Sequence, residues 1–166
     1  MAFGPYPVER CFQIEESKIY CAVNKRGGIK VVEFLLLRAN NVLCLIEAKS
    51  SSPKPGNTVH FDGFISEIRE KMVNGFSLGF ASCLGRHADD ALELSDEFKD
   101  LDLSTVGIKF ILVIKDHEEP WLVPIKDELE RVLRPTLKTW GIGSPAVEVL
   151  NEALAVKYKF ILPSKS

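Results

Sequence analysis

Three charged residues stand where the surrounding pattern calls for apolar ones, and their types suit a divalent cation. Glu47 and Lys49 end a run, Val42-Leu43-Cys44-Leu45-Ile46, that reads as a buried strand, and Glu33 interrupts the preceding apolar run in the same manner. Residues two apart on a strand project from one face, so the Glu47 and Lys49 side chains leave together. Burying a carboxylate and an ammonium is costly unless they pair with each other or with a third charge.

Whether Glu33 supplies that third charge depends on the turn between the strands. A three-residue loop, Ala39-Asn40-Asn41, pairs Arg38 with Val42 and brings Glu33 opposite Glu47; a two-residue loop through Asn40 and Asn41 puts Glu33 opposite Ala48 instead. In the first arrangement the two carboxylates meet, repel each other when ionised, and are relieved by a divalent metal. Mg2+ or Mn2+ favours such oxygen ligands and keeps several waters. One water could attack a phosphodiester while Lys49 orients it or stabilises the phosphoryl charge, and the backbone oxygen of Ala48 could complete the inner sphere. Two plainer readings stand beside this one. Lys49 could neutralise both carboxylates in a metal-free structural network, or the hairpin end could lie in solvent, where the charges cost little.

The elements that must position these residues are legible in outline. Residues 7–16 read as a short opening helix with Pro7 in its first turn and Val8, Cys11 and Phe12 on one face. Lys18 to Val23 alternates as a strand. The turn 24–28 then leads to a second strand, Ile29 to Arg38, and a third runs from Val42 to about Ser50. Both are almost continuously apolar, which predicts burial on two faces with helices covering the sheet. Residues 50–57 read as a loop. Thr58 is placed to cap a helix carrying Phe61, Ile65, Ile68 and Met72, broken or bent at Asn74-Gly75, with a further short helical piece over 76–84. Residues 107–115 form the next strand, 124–138 an amphipathic helix, and 145–156 a last helix before the terminal run Tyr158 to Leu162.

Composition sets wider bounds. The chain of 166 residues is 46% hydrophobic and 27% charged, enough for one domain with a sizeable core and without internal repeats. Its apolar runs are too short to cross a bilayer, and no basic region with an apolar signal core opens the chain, so a cytoplasmic protein without membrane association is expected. Cys11, Cys21, Cys44 and Cys83 lack metal-ligand spacing and read as buried thiols in a reducing compartment. The net charge of −2 conceals an uneven distribution. Residues 87–102 carry seven acids against one lysine, whereas residues 1–86 carry 11 basic and 8 acidic residues. The acidic segment reads as a surface excursion, and the mildly basic remainder permits a polyanionic partner.

The segment VVEFLLLRANNVLCLIEAKSS, residues 31–51, resembles the PD-(D/E)xK nuclease superfamily, with Glu47-Ala48-Lys49 similar to its ExK element. The resemblance implies a single α/β domain of restriction-endonuclease-like type: an αβββαβ core with a mixed central sheet flanked by helices. It also implies a Mg2+- or Mn2+-dependent endonuclease acting on DNA, with a homodimer or protein partner where two strands are addressed. Glu47 takes the second metal-ligand role and Lys49 that of the catalytic lysine. Glu33 stands where the family usually has an aspartate. The family often brings a glutamate from its first helix to the metal, for which Glu9 is the first candidate and Glu16 the second. Some members are non-catalytic, so a nuclease-like protein acting in nucleic-acid or protein binding and assembly is the competing function. An unrelated α/β regulatory protein with a simple charge bridge is a third.

Remaining polar residues have ordinary explanations. Lys25, Arg26 and Lys54 could touch phosphates or be surface charge. His60, His87 and His117 are too separated in sequence to form a metal motif, and Asp116, Glu118 and Glu119 read as a solvated strand end. Trp121 and Trp140, flanking the amphipathic helix, are expected in core or edge packing.

Overall fold

A computed structural model describes residues 1–54, 57–87 and 90–163, with nothing assigned to the side chains of residues 90 and 91. Pro55 and Gly56 of the predicted loop, and Ala88 and Asp89 of the acidic segment, lie outside the described residues. The chain forms one α/β domain around a mixed sheet of five strands in sequential order: β1 (Cys11–Phe12), β2 (Phe34–Arg38), β3 (Val42–Lys49), β4 (Gly107–Ile114) and β5 (Val147–Asn151). The β1–β2 and β2–β3 pairs are antiparallel, while β3–β4 and β4–β5 are parallel.

The β2–β3 hairpin takes the three-residue loop. Arg38 pairs with Val42 and Phe34 with Ile46, while Asn41 adopts a left-handed φ of 57°, which asparagine tolerates better than most residues. With that register the hairpin's side chains separate cleanly. Leu35, Leu37, Leu43 and Leu45 join one apolar layer, and Phe34, Leu36, Cys44 and Ile46 join the other. The first layer is covered by α2 (Thr58–Cys83) through Phe61, Ile65, Ile68, Met72 and Phe76, and by α5 (Glu119–Thr139) through Leu122, Ile125, Leu129 and Leu133. The second is covered by the short α6 (Glu152–Lys157) and by Phe160 and Ile161.

Several local expectations are corrected. Residues 7–16 form two 3-10 turns, Val8–Arg10 and Ile14–Glu16, with β1 between them, rather than a helix. Lys18–Val23 is a helix, α1, and not a strand. Ser17 caps it by accepting from the Tyr20 amide at 3.0 Å, and the Glu93 carboxylate accepts from the amides of Lys18 and Ile19 at 2.8 and 2.9 Å. Those caps satisfy orphan amides that an alternating pattern does not reveal. A helix therefore lies between the first two strands instead of preceding them, and β2 begins only at Phe34.

Helix α2 runs unbroken through Asn74 and Gly75. A Cβ at Gly75 would lie 2.8 Å from Val32 Cγ2, and one at Gly79 would lie 2.6 Å from Leu35 Cδ1. The glycines are therefore close-approach positions where the helix presses on the chain entering β2, not breaks. The predicted last helix is β5 followed by α6. Val147 and Val149 enter one layer and Leu150 the other, a period of two, before Asn151 caps α6 by accepting from the Leu154 amide at 2.9 Å.

Of the cysteines, Cys44 is buried and its thiol is pushed up to about 11 by burial. Cys21 is exposed and Cys11 and Cys83 are half-buried, so the expectation of burial fails for these. The acidic segment contains α3 (Asp90–Glu93) and α4 (Asp96–Lys99) and is pinned by buried Leu94 and Phe98. Among the described residues no helix is long and apolar enough to cross a membrane.

Candidate functional site

Glu47 is the most deeply buried carboxylate among the described residues, with 1% of its side chain exposed, on the sheet face that α2 covers. It is placed there by strand parity, continuing the inward row Leu43 and Leu45 at the carboxyl end of β3. Glu33 directly precedes Phe34, the first residue of β2, and Glu47 directly follows Phe34's partner Ile46. The Glu33 amide donates to the Ile46 carbonyl at 3.1 Å, extending the hairpin by one bond. The two carboxylates therefore come together at the open end of the hairpin.

The electrostatics record that meeting. Burial pushes the Glu33 carboxyl above its ordinary value, and the charges of Glu47 and Glu15 push it further, against Lys71 and Lys49. Burial also raises Glu47, and the nearby ammonium groups of Lys71 and Lys49 offset this only in part.

Two lysines serve these carboxylates, from different elements. Lys49 Nζ donates to Glu67 Oε1 at 2.7 Å and stands 3.4 Å from Glu47 Oε1. Burial disfavours its charge, yet Glu67 and Glu47 together outweigh burial and hold its pKa above the ordinary value. Glu67 is correspondingly lowered by its bond to Lys49. Lys71, one helical turn beyond Glu67 on α2, puts its Nζ 2.8 Å from Glu47 Oε1 and 3.6 Å from Glu15 Oε1. The close approach at Gly75, one turn further on, sets α2 near enough for Lys71 to reach. The Lys71–Glu47 contact is an ion pair without hydrogen-bond alignment, so neither buried Glu47 oxygen has a hydrogen-bond partner.

Of the predicted residues, the fold thus brings Glu33, Glu47 and Lys49 together, with Ala48 between the last two on the strand end. Glu9 is not brought to them: it lies in the first 3-10 turn, its carbonyl accepts from Ser95 Oγ, and it lines a groove with Glu16 against the 92–98 segment. Glu15 is the acidic residue from the amino-terminal region that reaches the site. Its amide donates to the Glu33 carbonyl at 3.4 Å, and buried Ile14 anchors the turn that presents it. In sequence Glu15 and Glu16 are indistinguishable, because only the turn geometry decides which faces the hairpin. Lys71 and Glu67 left a better signal, being four apart beside the apolar stripe of α2.

The rim next to Lys49 is tied down. Ser52 Oγ and His117 Nε2 are 3.2 Å apart, Lys54 lies over the Trp121 ring at 5.2 Å, and His117 packs edge-on against that ring. Lys54 and His117 therefore have structural partners, while His60 is exposed at the start of α2.

Two features of the carboxylate pair bear on a small hard cation, beside the two ammonium groups already at Glu47 Oε1. Glu47 presents oxygens with no hydrogen-bond partner in a buried position, and Glu33 adds a second carboxylate that burial and repulsion disfavour when ionised. Among the described residues no group of three or more Asp, Glu, His or Cys side chains is arranged to hold a metal.

No protein-family model, curated protein or solved structure matches the chain.

Proposed function

We propose that this protein is a Mg2+- or Mn2+-dependent endonuclease of restriction-endonuclease-like fold that hydrolyses DNA phosphodiester bonds. The observation that carries the reading is the buried Glu47 carboxylate beside Glu33, whose Oε1 is met by the ammonium groups of Lys71 and Lys49 and whose Oε2 has no hydrogen-bond partner, with Lys49 on the same strand face. An antiparallel hairpin that continues into a parallel strand through a covering helix supports the finer fold assignment.

Glu33 and Glu47 would hold the cation, with the Ala48 carbonyl as a further oxygen. Glu15, and not Glu9, is the amino-terminal carboxylate beside the pair; it holds Lys71 and is not counted among the ligands. The bound metal supplies Lewis acidity at a phosphoryl oxygen and a more acidic water. Lys49, held charged by Glu67 and Glu47, is a donor with no lone pair to accept a proton. Its part is to stabilise negative charge on the phosphoryl oxygens or to orient the water, and not to act as the base.

A second reading has its own observation. Lys71 already pairs with Glu47, which favours a non-catalytic nuclease-like protein whose charges close on themselves and which acts in nucleic-acid or protein binding. Nicking of supercoiled plasmid DNA in Mg2+ or Mn2+ separates the two. The nuclease reading expects metal-dependent cleavage that falls on the order of 100-fold or more in Lys49→Ala and in Glu47→Gln. Cleavage retained in Glu47→Gln rejects the assigned site, and no cleavage of duplex or single-stranded DNA with either metal favours the binding protein.

A further inference from the structure

We propose that Lys71 is a resident counter-ion that occupies Glu47 in the absence of metal and moves to Glu15 when a divalent cation binds. The inference rests on the metal-site reading above and adds the device by which an empty site tolerates a buried carboxylate.

The two lysines at the site are held differently. Lys49 makes its short bond to Glu67, at 2.7 Å, and only a longer contact to Glu47. Lys71 makes its short contact to Glu47 itself, at 2.8 Å, and its longer one to Glu15. Lys49 thus has an anchor away from the carboxylate pair, whereas the nearest partner of Lys71 is the carboxylate that would bind the metal. A buried carboxylate is costly to ionise unless a cation stands beside it, and in the metal-free structure the nearest cation is the Lys71 ammonium.

Lys71 is suited to give way. It comes from α2 and not from the sheet, so a rotation of its four-carbon stem leaves the hairpin undisturbed. Glu15 lies within 3.6 Å of the same Nζ and is substantially more exposed than Glu47, so the ammonium keeps a partner after displacement. A monovalent ammonium and a divalent cation at one carboxylate repel each other, and binding the second therefore works against the first. Lys71 stabilises the metal-free fold and weakens metal affinity by the same contact.

The test titrates Mn2+ into the full chain and into Lys71→Met at one pH and ionic strength, following free Mn2+ by its paramagnetic resonance signal. Thermal midpoints are recorded with and without Mn2+. The proposal expects Lys71→Met to bind Mn2+ on the order of tenfold more tightly than the parent, a size typical of changes beside metal ligands. It also expects a lowered midpoint that saturating Mn2+ restores. Binding by the parent with equal or weaker affinity in Lys71→Met overturns the counter-ion role and leaves the metal site standing. Absence of Mn2+ binding in both proteins overturns the two together.

Should Lys71→Met fail to fold, the parent protein labelled with 13C at the lysine ε-carbons is titrated with Mg2+. The Lys71 resonance, assigned by its loss in Lys71→Arg, is expected to shift in step with Mg2+ occupancy. A Lys71 resonance that stays fixed while other signals report saturation overturns the proposal.

Discussion

Lys71 Nζ, from the long helix α2, lies 2.8 Å from Oε1 of Glu47, a strand carboxylate with 1% of its surface exposed. The contact crosses from helix to sheet and supplies the charge that makes burial of Glu47 tolerable. Lys71 is itself only 13% exposed, so water screens the pair weakly.

Removing one partner of such a pair should cost more than the pair contributes. Lys71→Met is expected to lose about 3 kcal/mol in urea denaturation of the metal-free protein, because Glu47 is left buried with only its longer contact to Lys49. The double variant Lys71→Met, Glu47→Gln should recover most of that loss. A double variant no more stable than Lys71→Met would show that Lys71 acts through packing and not through charge.

Glu33 carries the opposite expectation. Its carboxyl is raised above 4.5 by burial and then by Glu47 and Glu15. The folded state therefore binds that proton more tightly than the unfolded chain does. Stability from this group is fully present below the unfolded value near 4.5 and is lost as pH rises through the higher folded value. Glu33→Gln removes the loss, so at pH 7 without metal it should be the more stable protein, by about 0.5 kcal/mol for a cross-strand like-charge pair. The advantage should vanish toward pH 4, and parallel denaturation curves at both pH values check it.

The glycines of α2 give a paired test of how the site is positioned. Gly75→Ala would put a Cβ 2.8 Å from Val32 Cγ2 and is expected to destabilise by about 1–3 kcal/mol, forcing α2 and Lys71 away from the hairpin. A Cβ at Gly63, in the same helix, meets nothing within 4 Å, so Gly63→Ala should stabilise by about 0.5–1 kcal/mol. Equal effects from the two substitutions would contradict the close approach. Thermal melts suffice to measure both.

Glu93 links the acidic segment to the fold by accepting from two amides at the start of α1. Glu93→Ala should cost about 1 kcal/mol, as loss of a helix cap does, and should raise amide exchange at Lys18 and Ile19. Unchanged exchange at those amides would refute the capping role.

What the sequence disclosed follows from the range of the forces involved. The β2–β3 hairpin was legible because its register is set locally, by an asparagine turn and by apolar side chains on both faces. Glu33, Glu47 and Lys49 followed from that register as polar exceptions. Lys18–Val23 misled because six alternating residues suit a strand, whereas the helix is decided by caps from Ser17 and from Glu93, which lies 74 residues beyond Ile19. Val147–Asn151 suits a helix in sequence because a short apolar run does not reveal that β4 lies beside it. Glu15 reaches the site only through a 3-10 turn against the hairpin, and Lys71, although four residues from Glu67 beside the apolar stripe of α2, is aimed at Glu47 only by the packing of that helix.

The proposed sharing of a divalent cation by Glu33 and Glu47 is open to a crystal structure of the protein soaked in Mn2+, with anomalous differences measured near the manganese edge. A single strong peak is expected within coordination distance of Glu47 and Glu33, with the Lys71 ammonium turned toward Glu15. A structure with no peak there at saturating Mn2+, and with Lys71 still on Glu47, would contradict it.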